Sequence, residues 1–259
     1  MANSDDTKVR TELSAGVLRV TLADQEKRNA LSRQLLAELN RAIDRAENDP
    51  EVRVAVLTNE GNTFCAGADL SERSDDDRPD DGGPNINVFE RIRMSPIPWV
   101  GRIDGHAIAG GLGLAAVTDI SVALDTAKMG FSEVRIGVAP ALISVICLPK
   151  MRQGEAIEAF LRGNRFTAVE GARLGLVNYA VSADELDAKV DEIVADLVLG
   201  GPNALGASKR LVRDVPSMSF GDAMAWAGPF SASLFDSEEG QQGMKAYLEK
   251  RTPPWVPES

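Results

Sequence analysis

Two glycine- and alanine-rich turns and one carboxylate are the parts of this chain best suited to chemistry. The turns cover residues 63–70 and 105–116, and both have small side chains at their centres. Small side chains leave backbone N–H groups open to a ligand, and N–H groups at a helix start lack partners. The carboxylate belongs to Glu133, whose apolar neighbours predict a raised pKa on burial. Two converging N–H donors form an oxyanion hole, and a carboxylate beside it suits proton transfer at carbons next to a carbonyl group.

The net charge and the counts of a few residue types exclude several classes of function. The chain has 259 residues, 28 Lys and Arg against 39 Asp and Glu, a formal net charge of −11, two cysteines and one histidine. So acidic a chain lacks the broad cationic face that nucleic acids and anionic membranes require. Two cysteines and one histidine cannot form a four-sulfur zinc site, an iron–sulfur cluster or a two-histidine metal motif. We therefore expect no metal, no nucleic-acid partner, and carboxylates as the acid–base groups.

The distribution of apolar residues predicts a soluble protein of the cytoplasm. Residues 1–13 are polar and contain no apolar stretch of signal-peptide length. No run approaches the roughly 18 apolar residues that cross a bilayer, so no membrane partner is expected. Cys65 and Cys147 are then most simply small buried side chains in a reducing compartment.

The elements that must position the two turns and Glu133 follow from periodicity. Alternating residues predict a hairpin over Val9–Leu22, and Ser32 is placed to N-cap a helix that runs to about Glu47. The other predicted strands are Val52–Thr58, Trp99–Ile103 and Asp119–Leu124, and Met129–Pro140 is a further alternating segment. One predicted helix ends near Met94. The others cover Glu155–Arg162, Ala168–Leu174, Glu185–Leu199, Asn203–Arg213, Asp222–Phe235 and Gln241–Lys250. This order predicts an α/β core in residues 1–199 and a C-terminal helical region in residues 200–259.

The second turn also matches a nucleotide-binding pattern. Gly111-x-Gly113-x-x-Ala116 fits the loose G-x-G-x-x-A dinucleotide fingerprint, with Glu133 or Asp125 as the ribose-binding acid. The fingerprint normally opens a βαβ nucleotide-binding unit, whereas this match lies mid-chain with no convincing following strand that ends in the acid. The match is therefore a weak alternative to the oxyanion-hole interpretation.

Four polar features have a structural interpretation beside a functional one. The acidic stretch Ser71–Asn87 has the composition of a surface loop. Asp69 is placed to cap the first turn, and His106 to form a structural hydrogen bond at a strand end. Arg135 would share a face with Glu133 in an extended segment, and the two could form a salt bridge.

Six segments occur in the order typical of the crotonase superfamily, the enoyl-CoA hydratase/isomerase group, which the chain resembles over nearly its whole length. The segments are Lys27–Ser32, Phe64–Leu70, Ala109–Leu114 with Thr118–Ile120, Phe131–Glu133, Phe166–Ala168 with Gly175–Val177, and Ala246–Arg251. The resemblance implies an α/β fold: a spiral of ββα units with a C-terminal helical region that assists trimerisation, in homotrimers or dimers of trimers. It also implies an enzyme whose substrate is an acyl-CoA thioester. Coenzyme A is then part of the substrate, and no cofactor is expected.

The resemblance also implies roles for single residues. The backbone N–H groups of Ala68 and Gly110 hold the thioester oxygen, and Glu133 is the acid–base group. The substrate-binding set, whose three cations are candidates for the CoA phosphates, is Lys27, Arg28, Ala30, Ala66, Ala68, Asp69, Leu70, Gly110 and Lys250.

One departure from the family pattern bears on the reaction. Two-carboxylate hydratases carry one glutamate where Gly113 stands and another at the position of Glu133, so only the second remains here. The leading hypothesis is an enoyl-CoA hydratase-like lyase that adds water across the 2,3 double bond of an enoyl-CoA, with Glu133 as acid and base. The alternatives are a Δ3,Δ2-enoyl-CoA isomerase that uses Glu133 alone, and a non-catalytic acyl-CoA-binding homologue. The run Ser132–Ala141 is similar to a subgroup that acts on branched or carboxylated enoyl-CoAs.

Overall fold

The computed structural model describes residues 7–73 and 85–256, and its first element is a hairpin. Strand β1 (Val9–Ser14) pairs antiparallel with strand β2 (Val17–Leu22). The turn between them places Ala15 and Gly16 at positive φ, 49° and 79°. A two-residue turn of this hand matches the twist of the flanking strands. The hairpin predicted from alternating residues is confirmed.

The strands of the described residues form two sheets. The larger sheet contains, in spatial order, β1, β2, β3 (Val54–Asn59), β5 (Trp99–Ile103), β7 (Ile120–Leu124) and β10 (Tyr179–Val181). The smaller sheet contains β4 (Thr63–Cys65), β6 (His106–Ile108), β8 (Lys128–Gly130) and β9 (Phe166–Thr167). Apart from the first hairpin and the pair β8–β9, neighbouring strands are parallel.

A repeated ββα unit connects the two sheets. In each unit the first strand joins the larger sheet, the second joins the smaller sheet, and a helix follows. The helices of three such units are α2 (Asn85–Met94) after β4, α3 (Gly110–Val117) after β6, and α4 (Ala141–Cys147) after β8. Parallel neighbours require crossovers of this kind. The predicted α/β class and the spiral of ββα units are confirmed.

Helix α1 (Arg33–Asn48) begins where the sequence places it. The Ser32 hydroxyl accepts a hydrogen bond from the Leu35 N–H at 3.2 Å, which satisfies one of the free donors at the helix start. The apolar face of α1 packs on the hairpin and on α2. The six residues predicted for that face are all buried: Leu35, Leu36, Leu39, Ala42, Ile43 and Ala46.

The segment Met129–Pro140 is not the extended strand that its alternating residues suggest. After β8, residues Ser132–Ile136 form a 3-10 turn that Gly137 ends in the left-handed conformation, with φ of 78°. A glycine can adopt this conformation without steric cost, so it stops the turn and reverses the chain. The expected salt bridge is also wrong, because the Arg135 guanidinium donates to the Arg162 carbonyl oxygen at 2.8 Å.

Most of the predicted surface loop over Ser71–Asn87 falls outside the described residues. Its first part, Ser71–Arg73, is a short 3-10 turn. Its last part is already helical, since α2 begins at Asn85.

The last third of the chain is helical, as predicted, and each helix lies within three residues of its predicted bounds. The helices are α5 (Gln153–Arg162), α6 (Ala168–Arg173), α7 (Leu186–Leu199), α8 (Pro202–Asp214), α9 (Phe220–Asp236) and α10 (Glu238–Leu248). Helix α7 covers the outer face of the larger sheet, where its buried residues join a cluster with Val54, Val100 and Val122. In the described part of the chain no helix is long and apolar enough to cross a membrane.

Two buried or half-buried cations attach the C-terminal helices to the core. Lys209 on α8 forms an ion pair with Asp119 at 2.7 Å and donates to the Ile97 carbonyl at 2.8 Å. The Arg53 guanidinium donates to the Gly200 carbonyl at 2.7 Å and to the Trp255 carbonyl. These bonds join segments that are far apart in the sequence and fix the position of α8.

Candidate active site

The three predicted segments leave neighbouring strands at one edge of the smaller sheet. Strand β4 leads into residues 66–68, β6 into residues 109–110, and β8 into residues 131–133. The three strands are parallel, with Cys65 opposite Ala107 and Ile108 opposite Gly130. Because the carboxyl ends of parallel strands meet at the same edge, the segments meet there as well, and this is where open α/β sheets bind ligands.

The two small-residue turns touch each other. A Cβ atom placed on Gly67 would lie 3.2 Å from the Gly110 nitrogen and 3.1 Å from the Ile108 carbonyl oxygen. A Cβ placed on Gly110 would lie 3.7 Å from the Ala68 nitrogen. Gly67 also has φ of 92°, which favours glycine. Both the approach and the conformation therefore require a glycine at this position.

The N–H groups of Ala68 and Gly110 are open. Among the described residues, no backbone hydrogen bond starts from either nitrogen. Gly110 is the first residue of α3, where N–H groups have no partner within the helix. Ala109 holds this start in place: its N–H donates to the Gly130 carbonyl at 2.9 Å, and its carbonyl accepts from the Leu112 N–H at 2.9 Å. Both open donors lie on partly or fully exposed residues of the edge.

Glu133 brings a carboxylate to the same edge. It lies three residues after Gly130, which is bonded to Ala109, so its Cα lies within about 11 Å of the Gly130 Cα. Its Oε2 atom is buried and has no hydrogen-bond partner among the described residues. Burial raises the pKa of the Glu133 carboxyl group, and its own backbone N–H opposes this to a smaller extent. The site thus combines two open donors with one desolvated carboxylate.

The comparisons with known proteins agree with this geometry. The sequence profile of the family described as enoyl-CoA hydratase/isomerase matches residues 12–258. An enoyl-CoA hydratase from Mycobacterium tuberculosis is 32% identical over 243 residues, which cover 91% of this chain and 91% of the relative. The chain belongs to the enoyl-CoA hydratase/isomerase family. A carnitinyl-CoA dehydratase from Salmonella typhi is 31% identical over 251 residues, covering 92% of this family member and 94% of the relative.

Solved structures place this enoyl-CoA hydratase/isomerase family member in the crotonase fold. An enoyl-CoA hydratase from Mycobacterium smegmatis is 29% identical, with a TM-score of 0.88 over 96% of this chain and 98% of that chain. An enoyl-CoA hydratase/isomerase from Marinobacter aquaeolei is 28% identical, with a TM-score of 0.89 over 96% of this chain and 99% of that chain. Its relatives and its fold show that the protein is an enzyme of this family.

In this family member, the predicted segment Lys27–Ser32 lies along the first turn. The Leu31 N–H donates to the Gly67 carbonyl at 2.8 Å, and the Ala66 N–H donates to the Arg28 carbonyl at 3.1 Å. Arg28 has φ of 55°, which turns its exposed side chain to solvent beside the first turn. Ala30, next in this segment, is buried. The structure therefore brings these predicted binding residues together.

Asp69 stabilises the first turn, as predicted. Its Oδ1 atom accepts from the Ser71 N–H at 3.0 Å and from the Ser71 hydroxyl at 2.6 Å. Its Oδ2 atom forms an ion pair with Lys27 Nζ at 2.7 Å. The pair raises the pKa of Lys27 and lowers the pKa of Asp69. Lys27 and the neighbouring Leu70 remain half-exposed and are accessible to a ligand.

Lys250 is the predicted binding residue that the described contacts do not bring to the edge. It follows α10 with φ of 54°, and its N–H donates to the Tyr247 carbonyl at 3.2 Å. Its assignment to the CoA phosphates stays a prediction.

The glycines of the dinucleotide fingerprint pack against protein. A Cβ on Gly111 would lie 2.0 Å from the Cys65 carbonyl oxygen, and one on Gly113 would lie 2.2 Å from Ile143 Cγ2. These glycines let α3 pack closely on β4 and α4, so they do not leave space for a pyrophosphate. The dinucleotide interpretation is wrong. Sequence reasoning missed Ile143 because nothing in the local sequence shows which residue will face Gly113.

His106 forms a structural hydrogen bond at a strand end, as the sequence predicts. Its Nδ1 atom accepts a hydrogen bond from the Lys128 N–H at 3.0 Å, which links the starts of β6 and β8. Burial, Arg165 and Lys128 lower the pKa of His106. The hydrogen bond requires an unprotonated Nδ1 atom, and the lowered pKa favours the neutral ring that provides it.

Proposed function

We propose that this enzyme is an enoyl-CoA hydratase-like lyase that adds water across the 2,3 double bond of an enoyl-CoA thioester. The observation that carries the proposal is that one sheet edge bears both the open Ala68 and Gly110 N–H groups and the segment of Glu133, whose buried Oε2 atom has no partner among the described residues. The names of the relatives, hydratases and dehydratases of CoA thioesters, support the same reaction class.

In the proposed mechanism the two N–H groups bind the thioester carbonyl oxygen. When water attacks C3, the electrons of the double bond move toward the carbonyl, and negative charge develops on this oxygen. The Ala68 and Gly110 donors stabilise that charge more than they stabilise the neutral carbonyl. Loss of a single donor of this kind costs about 3–4 kcal/mol of transition-state stabilisation.

Glu133 moves both protons in this mechanism. The ionised carboxylate takes a proton from the attacking water as the C3–O bond forms. The protonated Glu133 then donates a proton to C2, the carbonyl reforms, and Glu133 returns to its ionised state. One water is added and no proton is left over. A pKa raised by burial suits this role, because general bases work best with pKa values near the working pH.

The thioester carries a CoA group that the chain is suited to bind. Lys27 and Arg28 lie exposed beside the first turn and supply charge for the CoA phosphates. Their effect is local, since charges beyond about 8–10 Å are screened at physiological salt, and the overall acidity of the chain does not oppose it. Lys250 completes the set from the same or a neighbouring subunit of a homotrimer or dimer of trimers.

A Δ3,Δ2-enoyl-CoA isomerase is the second candidate. It moves one proton from C2 to C4 as a 3-enoyl-CoA becomes a 2-enoyl-CoA, so a single carboxylate suffices, and no water takes part. The absence of an acid at Gly113 favours this candidate, and the same two N–H donors would stabilise its dienolate. The hydratase proposal is preferred because the named relatives include hydratases and a dehydratase.

A turnover screen tests the proposal. The enzyme is mixed with a conjugated 2-enoyl-CoA, and hydration is followed by the loss of enoyl-thioester absorbance, with Glu133→Gln as the paired variant. We expect hydration by the wild type and a loss of about 10²–10⁴-fold in the variant. A second arm uses a 3-enoyl-CoA. Migration of its double bond without hydration of either substrate would favour the isomerase, and binding without any turnover would favour a non-catalytic homologue.

A further inference from the structure

We infer that Ile143 is a reaction-specificity residue: its side chain occupies the space that an acid–base side chain at position 113 of α3 would need. The inference rests on the proposed function, since it concerns the number of groups that exchange protons with an enoyl-CoA. Ile143 lies on α4 and Gly113 on α3, thirty residues earlier in the chain.

The steric argument is local to the contact between α3 and α4. A Cβ on Gly113 would lie 2.2 Å from Ile143 Cγ2 and 2.9 Å from Ile143 Cβ, with Phe89 Cε1 at 3.5 Å. Side-chain carbons in proteins do not approach within 3.0 Å. Ile143 is branched at Cβ, so Cγ2 cannot rotate away as the tip of a flexible side chain could. It is also 2% exposed, and the surrounding core holds it in place.

The position of this contact relates it to the site. Gly113 follows Gly110 by three residues on α3, so the two are neighbours on the helix surface. Ile143 and Cys147 are likewise one turn apart on α4, and both are buried. Glu133 lies three residues after Gly130, whose carbonyl accepts from the Ala109 N–H at the start of α3, and α4 begins eight residues after Glu133. The packed pair therefore joins the helix that carries the Gly110 donor to the helix that follows Glu133 in the chain.

The contact between Gly113 and Ile143 leaves the α3 side of the site without a second acid–base group. The α3 side is closed by Gly113, Ile143 and Phe89, which carry no proton-exchanging group. Substitution of Gly113 by an acid cannot by itself add a second carboxylate, because Ile143 must be removed as well. The residues at positions 113 and 143 thus act as a coupled pair.

A stability cycle tests the packing part without any substrate. The variants are Gly113→Ala, Ile143→Ala and the double variant, and Tm is measured for each. We expect Gly113→Ala to lower Tm by roughly 5 °C or more in the wild-type background and to change it little, or raise it, beside Ile143→Ala. Equal losses in both backgrounds would overturn the inference. Ile143→Val beside Gly113→Ala is the matched control, because valine keeps the branched Cβ and should retain the full loss.

A pH profile tests the chemical part. The double variant Gly113→Glu with Ile143→Ala should show a second ionisation on the acid limb of its pH–rate profile for hydration. It should turn over at least about tenfold faster than Gly113→Gln with Ile143→Ala. Identical profiles for these two variants would overturn the inference, as would a Gly113→Glu single variant with wild-type Tm and a second ionisation. If the wild type hydrates no enoyl-CoA, the proposed function fails, and the Tm cycle still decides the role of Ile143.

Discussion

Glu133 combines partial burial with a carboxylate oxygen that has no partner among the described residues, and this affects stability and catalysis in opposite directions. The folded-state pKa lies above the unfolded value. The contribution of Glu133 to stability is therefore fully present below the unfolded pKa and is lost as the pH rises through the folded one. At neutral pH the ionised carboxylate costs stability, while the proposed mechanism requires that ionised form.

Replacing Glu133 by glutamine should stabilise the fold and lower the activity by the same factor of about 10²–10⁴. At pH 7 we expect the free energy of unfolding to rise by about 1 kcal/mol, because a desolvated charge without a partner is removed. The gain should disappear as the pH is lowered below about 4.5, where the wild-type carboxyl is protonated as well. Chemical denaturation at several pH values, with a hydration assay in parallel, measures both effects.

The exposed Glu12 provides the control for this prediction. Glu12→Gln should change the free energy of unfolding by less than about 0.5 kcal/mol at any pH and should leave turnover unchanged. A Glu133→Gln variant that is less stable than the wild type at pH 7 would contradict the view that the carboxylate is strained by desolvation. In the wild type, the acid limb of kcat/KM should have its midpoint above the ordinary glutamate value of 4.5.

At the scale of elements, the start of α3 depends on a residue in a conformation that side chains rarely adopt. Ala109 has φ of 53° and ψ of −126°, and its hydrogen bond to Gly130 joins the start of α3 to β8. A non-glycine residue in such a region costs on the order of 1–3 kcal/mol. The rest of the fold therefore has to hold this turn, and it does so through the packing of Gly67 against Ala109 and Gly110.

Two substitutions at Ala109 should differ sharply. Ala109→Gly should change the free energy of unfolding by less than about 1 kcal/mol, because relief of strain offsets the added freedom of the unfolded chain. Ala109→Val should lose more than about 2 kcal/mol, because a β-branched residue at positive φ clashes with its own backbone. Equilibrium unfolding in urea measures both, and equal stability of the two variants would refute the strain argument.

Some elements of the fold follow from local sequence patterns, and others depend on contacts between distant segments. The hairpin at Val9–Leu22, the Ser32 cap and the strands β3 and β5 follow from local patterns, and they are observed. The short strands β4 and β6 were missed, because they lie inside the glycine- and alanine-rich segments predicted as turns. The 3-10 turn at Ser132–Ile136 was missed, because five alternating residues fit an extended strand equally well. The Gly113–Ile143 contact joins two helices, so no local pattern encodes it. Residue types thus predict the donors and the acid, while long-range packing decides how many acids the site can hold.

At the scale of the whole molecule, the C-terminal helices present more apolar surface than a solitary subunit would be expected to expose. Helix α9 has no buried residue, although most of its side chains are apolar. Phe220 is 84% exposed, Tyr247 is 85% exposed and Leu248 is 79% exposed. Large exposed apolar patches mark interaction sites, and homo-oligomers are the commonest soluble assemblies. These exposed residues favour an assembly of several copies of the chain, and the proposed homotrimer is one such assembly.

Charge placed on this surface should disperse the oligomer. With Tyr247→Glu and Leu248→Glu combined, we expect the mass in solution to fall to that of one chain, about 27.7 kDa, while the circular dichroism spectrum is retained. Sedimentation velocity or light scattering after size exclusion gives the mass. Tyr247→Phe, which keeps the apolar ring, is the control and should assemble like the wild type. A wild type that is already monomeric at micromolar concentration would refute the assembly.

The hydrogen bonds of Arg53 also link the order of synthesis to the order of folding. The strand it precedes is made early, yet the carbonyl groups that accept from its guanidinium belong to Gly200 and Trp255. Chains grow from the N-terminus, and early segments begin to fold before later ones exist. Until Gly200 and Trp255 have been added, one side of the larger sheet therefore holds a partly buried cation without these acceptors. The larger sheet therefore gains these two hydrogen bonds only after segments 147 and 202 residues further along the chain have been made.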